Sequence, residues 1–377
     1  MNELKRTSLY DWHLAHGANM APFGAYEMPL WYKEGVKAEH LGVIKNAGIF
    51  DTSHMAMVTV AGAQARDLLQ YCFTKDLEHC IGKNKTPLVD GRCVYGLFLN
   101  EDGSVLDDAI VSQLSATSFM VVVNAAMGAA VAARLNEFNG SFGATINDLT
   151  DKVGKMDIQG PDSAKILAKI LDNAETIFEK FLYFSFKGGF GDIGDASTVR
   201  LKDGTPLLLS RTGYTGEFGF ELFMAGEDLV RVWEMILEAG AAFGVLPCGL
   251  AARDSLRAGA VLPLSHQDIG PWIFANTPWN FALPIDEHGF SKDFHGKKAL
   301  SENNKREYTL PFAGYNPRKI VINENTYVTD ASGANLGVIL TCATDMAIDR
   351  VDGKIVSIAS TDDKNFTPKG LSCGFIK

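Results

Sequence analysis

Two adjacent carboxylates, Asp107 and Asp108 (the acid pair), stand in an apolar, β-prone run that follows a glycine-containing turn at residues 100–104. Turn residues followed by valine, leucine and isoleucine predict a strand that enters a core. Neighbouring side chains of a strand point to opposite faces, so the two carboxylates are not expected to face the same side. At least one should point into the protein, where an ionised carboxylate needs a partner or a cationic ligand. The alternative is a hairpin with one solvated aspartate and one that caps the turn.

Length and composition restrict the classes of protein that can form around this strand. A chain of 377 residues is long enough for two or three packed domains, and its 46% hydrophobic and 21% charged residues are ordinary for a soluble globular protein. A formal net charge of −10 argues against a nucleic-acid partner. No run approaches the roughly 20 apolar residues of a membrane span, and the N-terminus does not resemble a signal peptide. We therefore expect a cytoplasmic protein without a membrane partner.

The spacings of cysteine and histidine do not indicate a metal site. The six cysteines are scattered without a CxxC pair, which favours reduced cytoplasmic thiols over a disulfide framework or a zinc site. His13 and His16 have a helical spacing but no matching carboxylate, so they are interpreted as surface or capping residues. Asp51, Ser53 and His54 lie within four residues, whereas hydrolytic triads are assembled from separated elements. No triad is predicted.

A glycine-rich segment and a lone glutamate mark a second region of interest. Three glycines lie between residues 212 and 220, but the Walker pattern is absent and no helix follows immediately. A loop between strands that lets a ligand approach the backbone is the better interpretation. Glu221 follows in an otherwise apolar strand, either as a pocket carboxylate or on the exposed face of an edge strand.

The order of predicted elements favours an α+β protein. Strands with a lone acid, a capping turn and a helix occur in both halves of residues 1–290, which predicts two α+β lobes of roughly 1–145 and 146–290. Residues 291–377 instead contain short β-prone runs separated by Asn, Asp and Gly turns. That pattern is typical of a small all-β barrel or sandwich.

A series of short motifs runs in a fixed order through residues 7–300. The series is Phe23-x-x-x-Glu27-Met28-Pro29, Glu39-His40, Ala47-Gly48-Ile49-Phe50-Asp51-x-Ser53-His54-Met55, Val105-Leu106-Asp107-Asp108, Val123-Asn124-Ala125-Ala126, Ile158-Gln159-Gly160-Pro161, Ser210-Arg211-Thr212-Gly213-Tyr214-Thr215-Gly216-Glu217 and Gly249-Leu250-x-x-Arg253-Asp254. Together these motifs resemble the aminomethyltransferase (T-protein) family of the glycine cleavage system and its folate-dependent relatives. The resemblance implies a three-domain cloverleaf around a central hole that holds tetrahydrofolate, with folate bound by residues 1–290 and a C-terminal β-barrel at 291–377.

The resemblance also implies which residues form the site. Asp108 matches the family acid beside the reactive folate nitrogens, Glu221 the acid that binds the pterin ring, and Arg253 an active-site arginine. The other matched positions are pocket aromatics and wall residues: Tyr95, Tyr183, Tyr214, Met55 and Asn124. Asp108 and Arg253 are thus expected to be catalytic and all eight to bind the folate, while Asp107 is expected to be a turn or supporting residue.

These residue types suit a reduced folate. A carboxylate can pair with the donor–acceptor edge of a pterin, and tyrosine can stack on its flat face. An acid near folate N5 and N10 can orient the amine and accept or steer a proton. In the implied reaction, an aminomethyl group leaves the lipoyl arm of a carrier protein, ammonia is released and 5,10-methylene-tetrahydrofolate is formed.

Several positions depart from the T-protein pattern. The loop before Cys93 is longer, the pair Tyr183-Phe184 has one hydroxyl fewer, and the Ser-Pro-Thr signature is missing after Thr344. The resemblance therefore supports folate binding more strongly than a partnership with a lipoyl carrier protein. A demethylase that transfers a methyl group from a small O-, N- or S-methyl donor to tetrahydrofolate stays open, as does a non-catalytic folate-binding protein.

Overall fold

The computed structural model describes residues 3–303, 306–323 and 325–377 of the chain. Within these ranges the α-helices are α1 Tyr10–Ala15, α2 Gly35–Lys45, α3 Ala65–Cys72, α4 Gly128–Phe138, α5 Ser163–Ile170, α6 Ala174–Phe178, α7 Leu229–Gly240, α8 Leu250–Gly259 and α9 Lys297–Glu302. The strands are β1 Asn19–Phe23, β2 Tyr26–Trp31, β3 Gly48–Asp51, β4 Ala56–Ala61, β5 Cys93–Leu99, β6 Val105–Ser115, β7 Ser118–Val123, β8 Thr145–Asp148, β9 Val153–Gln159, β10 Phe186–Phe190, β11 Ile193–Gly194, β12 Leu208–Ser210, β13 Gly219–Ala225, β14 Leu246–Pro247, β15 Ile285–Asp286, β16 Gly289–Phe290, β17 Leu310–Ala313, β18 Tyr327–Thr329, β19 Asn335–Asp345, β20 Ile348–Val351, β21 Lys354–Ser357 and β22 Leu371–Ile376. Helices and mainly antiparallel sheets confirm the α+β class.

The acid pair lies on β6, the second strand of a five-stranded antiparallel sheet with the order β5-β6-β7-β4-β8. The predicted turn between β5 and β6 is present, because the Asn100 N–H donates to the Ser104 carbonyl at 2.8 Å. The Asp102 carboxylate accepts hydrogen bonds from the Ser104 N–H and hydroxyl, so Asp102 is the aspartate that stabilises this turn. Gly103 has φ +76°, a conformation that glycine adopts without strain. Helices α3 and α4 share one apolar core with this sheet.

Glu221 lies on β13 in the interior of a seven-stranded sheet with the order β11-β10-β12-β13-β9-β3-β14. Strand β13 pairs with β12 on one side and β9 on the other. The alternative of an exposed edge strand for Glu221 is therefore wrong. Helices α5 and α7 bury their apolar faces in the core of this sheet.

The two sheets are linked by the chain and by an apolar cluster. Residues 52–55 lead directly from β3 of the larger sheet into β4 of the smaller sheet. The cluster combines side chains from β4, β7, β10, β12 and β13, among them Met57, Met120, Phe186, Leu208 and Phe223. The burial of these side chains fixes the relative position of the two sheets that carry the predicted site residues.

The C-terminal region contains an open four-stranded antiparallel sheet, β17-β22-β19-β18, and a separate hairpin of β20 and β21. In the described part of this region the edge strands β17 and β18 do not pair with each other, so the expected barrel is not closed there. Among the described residues of the whole chain, no helix combines the length and the apolar character needed to cross a membrane.

Buried ionic contacts attach the C-terminal sheet to α8. The fully buried Arg257 guanidinium donates to the Asp268 carboxylate, which also accepts the Thr341 hydroxyl of β19 at 2.6 Å. His40 of α2 bridges the Ser255 hydroxyl, at 2.8 Å, and the Asp345 carboxylate of β19, at 3.1 Å. Helix α8 is therefore held between the N-terminal helix α2 and the C-terminal sheet.

The Arg257–Asp268 contact predicts a large loss of stability on truncation of its buried partner. Asp268→Ala should lower the free energy of unfolding by about 3 kcal/mol, because it leaves the guanidinium short of a counter-charge in the interior. Asp254→Ala is the matched control, since Asp254 pairs with the same guanidinium but its side chain is 38% exposed. That variant should lose less than about 1 kcal/mol. Urea unfolding measures both values, and equal losses would contradict the assignment.

Candidate active site

Asp107 and Asp108 meet at the amide of Asn124. Strand β7 ends at Val123, which pairs with Ala109, so the acid pair extends beyond the last residue of the neighbouring strand. From this end, the Asn124 Nδ2 donates to the Oδ1 of Asp107 at 2.8 Å and to the Oδ1 of Asp108 at 2.5 Å. Both carboxylates reach the same amide because Asn124 lies just beyond the end of β7. Their exposure still differs: Asp107 is fully buried and Asp108 half-buried.

Asp107 is a supporting residue rather than a turn residue. Its carboxylate accepts the Asn124 N–H at 2.9 Å and the Ser265 hydroxyl at 2.9 Å, and the His266 Nε2 lies 3.4 Å from its Oδ1. A fully buried carboxylate requires such a set of donors, because an unpaired buried charge is costly.

Asp108 has the environment of an acid that titrates near neutral pH. The Tyr95 hydroxyl donates to its Oδ2 at 2.8 Å. Burial and then the charge of Asp107 raise the pKa of Asp108 to about 6, against the hydrogen bonds from Tyr95 and Asn124 that favour its ionised form. A carboxyl group with this pKa can both accept and return a proton at physiological pH.

Tyr214 connects Asp108 with Arg253. The Tyr214 hydroxyl donates to the Pro263 carbonyl, and the Arg253 guanidinium carbon lies 5.1 Å from the centroid of the Tyr214 ring. Burial raises the pKa of Tyr214, and the negative charge of Asp108 raises it further, against the positive charge of Arg257. Tyr214 therefore contacts Arg253 and lies within the electrostatic influence of Asp108.

Glu221 and Arg253 belong to a buried ionic network centred on Lys155 and Asp157. The Lys155 Nζ donates to Glu221 Oε1 at 2.5 Å, to Asp157 Oδ1 at 2.9 Å and to the Thr52 hydroxyl at 3.0 Å. The Arg253 Nη1 donates to Asp157 Oδ2 at 2.7 Å. The second oxygen of Glu221 accepts the hydroxyl of Thr212. Two cations and two carboxylates thus balance their charges inside the larger sheet.

Tyr183 and Met55 lie at the periphery of these contacts. Tyr183 is 62% exposed, and its ring centroid is 5.7 Å from the Arg211 guanidinium carbon. Met55 is half-buried and packs on the apolar cluster between the two sheets. Within the described part of the chain, no hydrogen bond or ring contact joins either side chain to Asp108.

Of the two histidines predicted to have surface or capping roles, His16 is exposed as predicted, but His13 is not. His13 is fully buried, with its Nε2 3.0 Å from Asp51 and its Nδ1 2.8 Å from the Tyr32 hydroxyl, so the predicted surface or capping role is wrong. The His13 imidazole points inward from helix α1, where it is a hydrogen-bond partner of the buried Asp51 carboxylate. His54 does not contact Ser53 or Asp51 by hydrogen bond, and burial lowers its pKa to about 4. Among the described residues, no group of three His, Cys, Asp or Glu is arranged to hold a metal ion.

Four residues of the site were not predicted from the sequence: Lys155, Asp157, Ser265 and His266. Lys155 and Asp157 are two apart in a strand, so they face one side, and this pair of opposite charges in an apolar run was an available signal. Ser265 and His266 lie in a loop, where no periodicity indicates that they contact Asp107.

Comparisons with known proteins show which family the chain resembles. Residues 9–275 match the model of the family described as the GCVT N-terminal domain. An aminomethyltransferase from Streptomyces coelicolor is 37% identical over 313 residues, 82% of this chain and 76% of the relative. One from Desulfitobacterium hafniense is 35% identical over 341 residues, 90% of this chain and 86% of the relative. The crystal structure of glycine cleavage system aminomethyltransferase T from Bartonella henselae is similar with a TM-score of 0.77 and 27% identity, over 99% of this chain and 90% of that one.

The ionic network predicts a specific dependence of stability on pH. The charges of Lys155 and Arg253 overcome the effect of burial and lower the pKa of Asp157 to about 2. A depressed carboxylate pKa contributes stability above the unfolded pKa of about 4, and this is lost as the pH falls towards about 2. Wild type should therefore lose about 1 kcal/mol more than Asp157→Asn between about pH 6 and about pH 3. Urea unfolding at several pH values checks this, with the exposed Asp286→Asn as control; parallel pH profiles for wild type and Asp157→Asn would contradict it.

Proposed function

The chain belongs to the GCVT family of aminomethyltransferases, and we propose that it transfers a one-carbon unit to tetrahydrofolate with Asp108 as the acid–base residue. The observation that carries the proposal is the position of the Asp108 carboxyl, half-buried and hydrogen-bonded by Tyr95 and Asn124. Its pKa of about 6 suits proton exchange with an amine at physiological pH. As a member of this family the chain is a transferase.

The residues present fit a reduced folate. The half-buried rings of Tyr95 and Tyr214 offer stacking surfaces beside Asp108. Glu221 uses two of the roughly four lone-pair sites of a carboxylate for Lys155 and Thr212, which leaves acceptor capacity for the donor edge of a pterin. Bound tetrahydrofolate supplies the nitrogen atoms that accept the one-carbon unit.

The remaining assigned residues either position charged groups or form the walls of the folate site. Tyr95 donates to Asp108 and so favours its ionised form, which is the form that accepts a proton. Arg253, paired with Asp157, is a fixed positive charge beside Tyr214. We assign Met55, Asn124 and Tyr183 to the walls of the folate site.

We further propose a cloverleaf of three domains, approximately 1–145, 146–290 and 291–377, around the folate site. The proposed donor is an aminomethyl group on the lipoyl arm of a carrier protein, in line with the glycine cleavage title of the Bartonella henselae relative. A small O-, N- or S-methyl donor would instead give 5-methyl-tetrahydrofolate. Assays that separate 5-methyl from 5,10-methylene products distinguish the two donor classes.

The acid–base role of Asp108 predicts a strong loss of turnover in Asp108→Asn. The amide keeps the shape of the side chain but cannot exchange the proton, so kcat should fall about 10²–10⁴-fold, the usual contribution of a general acid or base. Asp102→Asn in the turn before β6 is the matched control and should retain wild-type kcat. Undiminished turnover by Asp108→Asn with a defined donor would exclude the assigned role.

The pterin-binding role of Glu221 predicts weaker folate binding in Glu221→Gln. Loss of the charged acceptor should weaken the binding of tetrahydrofolate by about 1–3 kcal/mol, the cost of an unsatisfied polar partner in the interior. Isothermal titration calorimetry measures this difference directly. Glu227→Gln, an exposed residue just after β13, should bind like wild type. Equal affinities for all three proteins would remove Glu221 from the site.

A further inference from the structure

The loop after α8 carries a histidine in an unusual conformation beside the acid pair. His266 has φ +62°, in the left-handed region that non-glycine residues seldom adopt. Its side chain is 46% exposed, and its Nε2 lies 3.4 Å from Oδ1 of the fully buried Asp107. Such backbone strain persists only where surrounding contacts hold it, and it concentrates at functional sites.

The contacts that hold this loop come from three directions. The neighbouring Ser265 donates to Asp107 at 2.9 Å, and the Tyr214 hydroxyl donates to the Pro263 carbonyl. On the far side, the Gln267 Nε2 donates to the Leu340 carbonyl at 2.8 Å. The loop is therefore fixed on both sides of His266, and the imidazole is held against the acid pair.

We propose that His266 is a positioning residue whose positive charge balances Asp107 and thereby keeps Asp108 in its ionised, proton-accepting form. The proposal rests on the proposed function, because it requires Asp108 to be the acid–base residue. His266 acts through Asp107 and the shared Asn124 amide, and it is assigned no contact with the substrate.

The electrostatic argument follows from the two adjacent carboxylates. Asp107 and Asp108 repel each other at a shared amide, which is one reason that the pKa of Asp108 is raised. The contact with Asp107 and the charges of both carboxylates raise the pKa of His266. Coupling between titrating sites is reciprocal, so protonated His266 must lower the pKa of the same carboxylates. The other groups that face Asp108 are the hydroxyls of Tyr95 and Tyr214, which stay protonated in this range.

Two substitutions remove the imidazole without disturbing the backbone. Glycine and asparagine both tolerate φ +62°, so His266→Gly and His266→Asn should fold with an unchanged or higher Tm. In both variants the acid limb of the pH profile of kcat should move up by about 0.5–1 pH unit, so that kcat near pH 6 falls about 2–5-fold. At a pH well above the pKa of His266, where His266 is neutral and Asp108 ionised, the variants and wild type should converge.

Added imidazole provides an independent readout. It should restore the kcat of His266→Gly near pH 6, where it is protonated, and have no effect above about pH 8.5. The matched control is His79→Asn, because His79 is also exposed and lies 3.1 Å from a buried aspartate, Asp76. His79→Asn should keep the wild-type acid limb.

The outcomes separate this inference from the proposed function. A shifted acid limb with convergence at high pH supports the role of His266. An unshifted acid limb, or a loss of kcat that is equal at every pH, overturns the role of His266. If Asp108→Asn is inactive in that case, the proposed function still stands. An active Asp108→Asn overturns both. A carboxyl ¹³C NMR titration, which needs no donor, should show a higher Asp108 pKa in His266→Gly than in wild type.

Discussion

The shared amide of Asn124 is the contact on which the candidate site depends. It holds two neighbouring carboxylates together just beyond the end of β7. Because Asp107 is fully buried and hydrogen-bonded on several sides, its carboxyl group has a fixed position beside Asp108. The site therefore combines one carboxylate with a structural role and one that titrates near neutral pH. Neither carboxylate would have its contact with Asn124 if β7 continued beside β6 as a regular ladder.

A second group of buried charges performs a different task in the larger sheet. Lys155 and Arg253 are each bound by a carboxylate, and the network has equal numbers of cations and anions. Because its members are hydrogen-bonded to one another, this network can fix the orientation of Glu221 and Arg253. Tyr214 lies between the two groups of charges and contacts Arg253.

Much of the fold and part of the site can be predicted from the sequence, and there are physical reasons why the other features cannot. The hairpin of β5 and β6 was predictable because turn residues and strand periodicity are local signals. The buried position of Glu221 was not, because periodicity cannot distinguish an interior strand from an edge strand. The role of His13 was missed because its partner, Asp51, lies on another element. The closed barrel expected near the C-terminus depended on strand pairing at long range, which β-prone runs do not specify, and the described residues form an open sheet.

The C-terminal sheet contributes to the site although none of its residues lies in it. Thr341 of β19 donates to Asp268, and the main chain of Leu340 accepts from Gln267. Asp268 in turn binds Arg257 of α8 and the N–H of Leu264. Strand β19, which anchors α8, thus also fixes the loop that holds Ser265 and His266 against Asp107. A strained backbone conformation at His266 can persist because these contacts hold the loop on both sides of that residue. The electrostatics of Asp108 consequently depend on the packing of a sheet that lies outside the site.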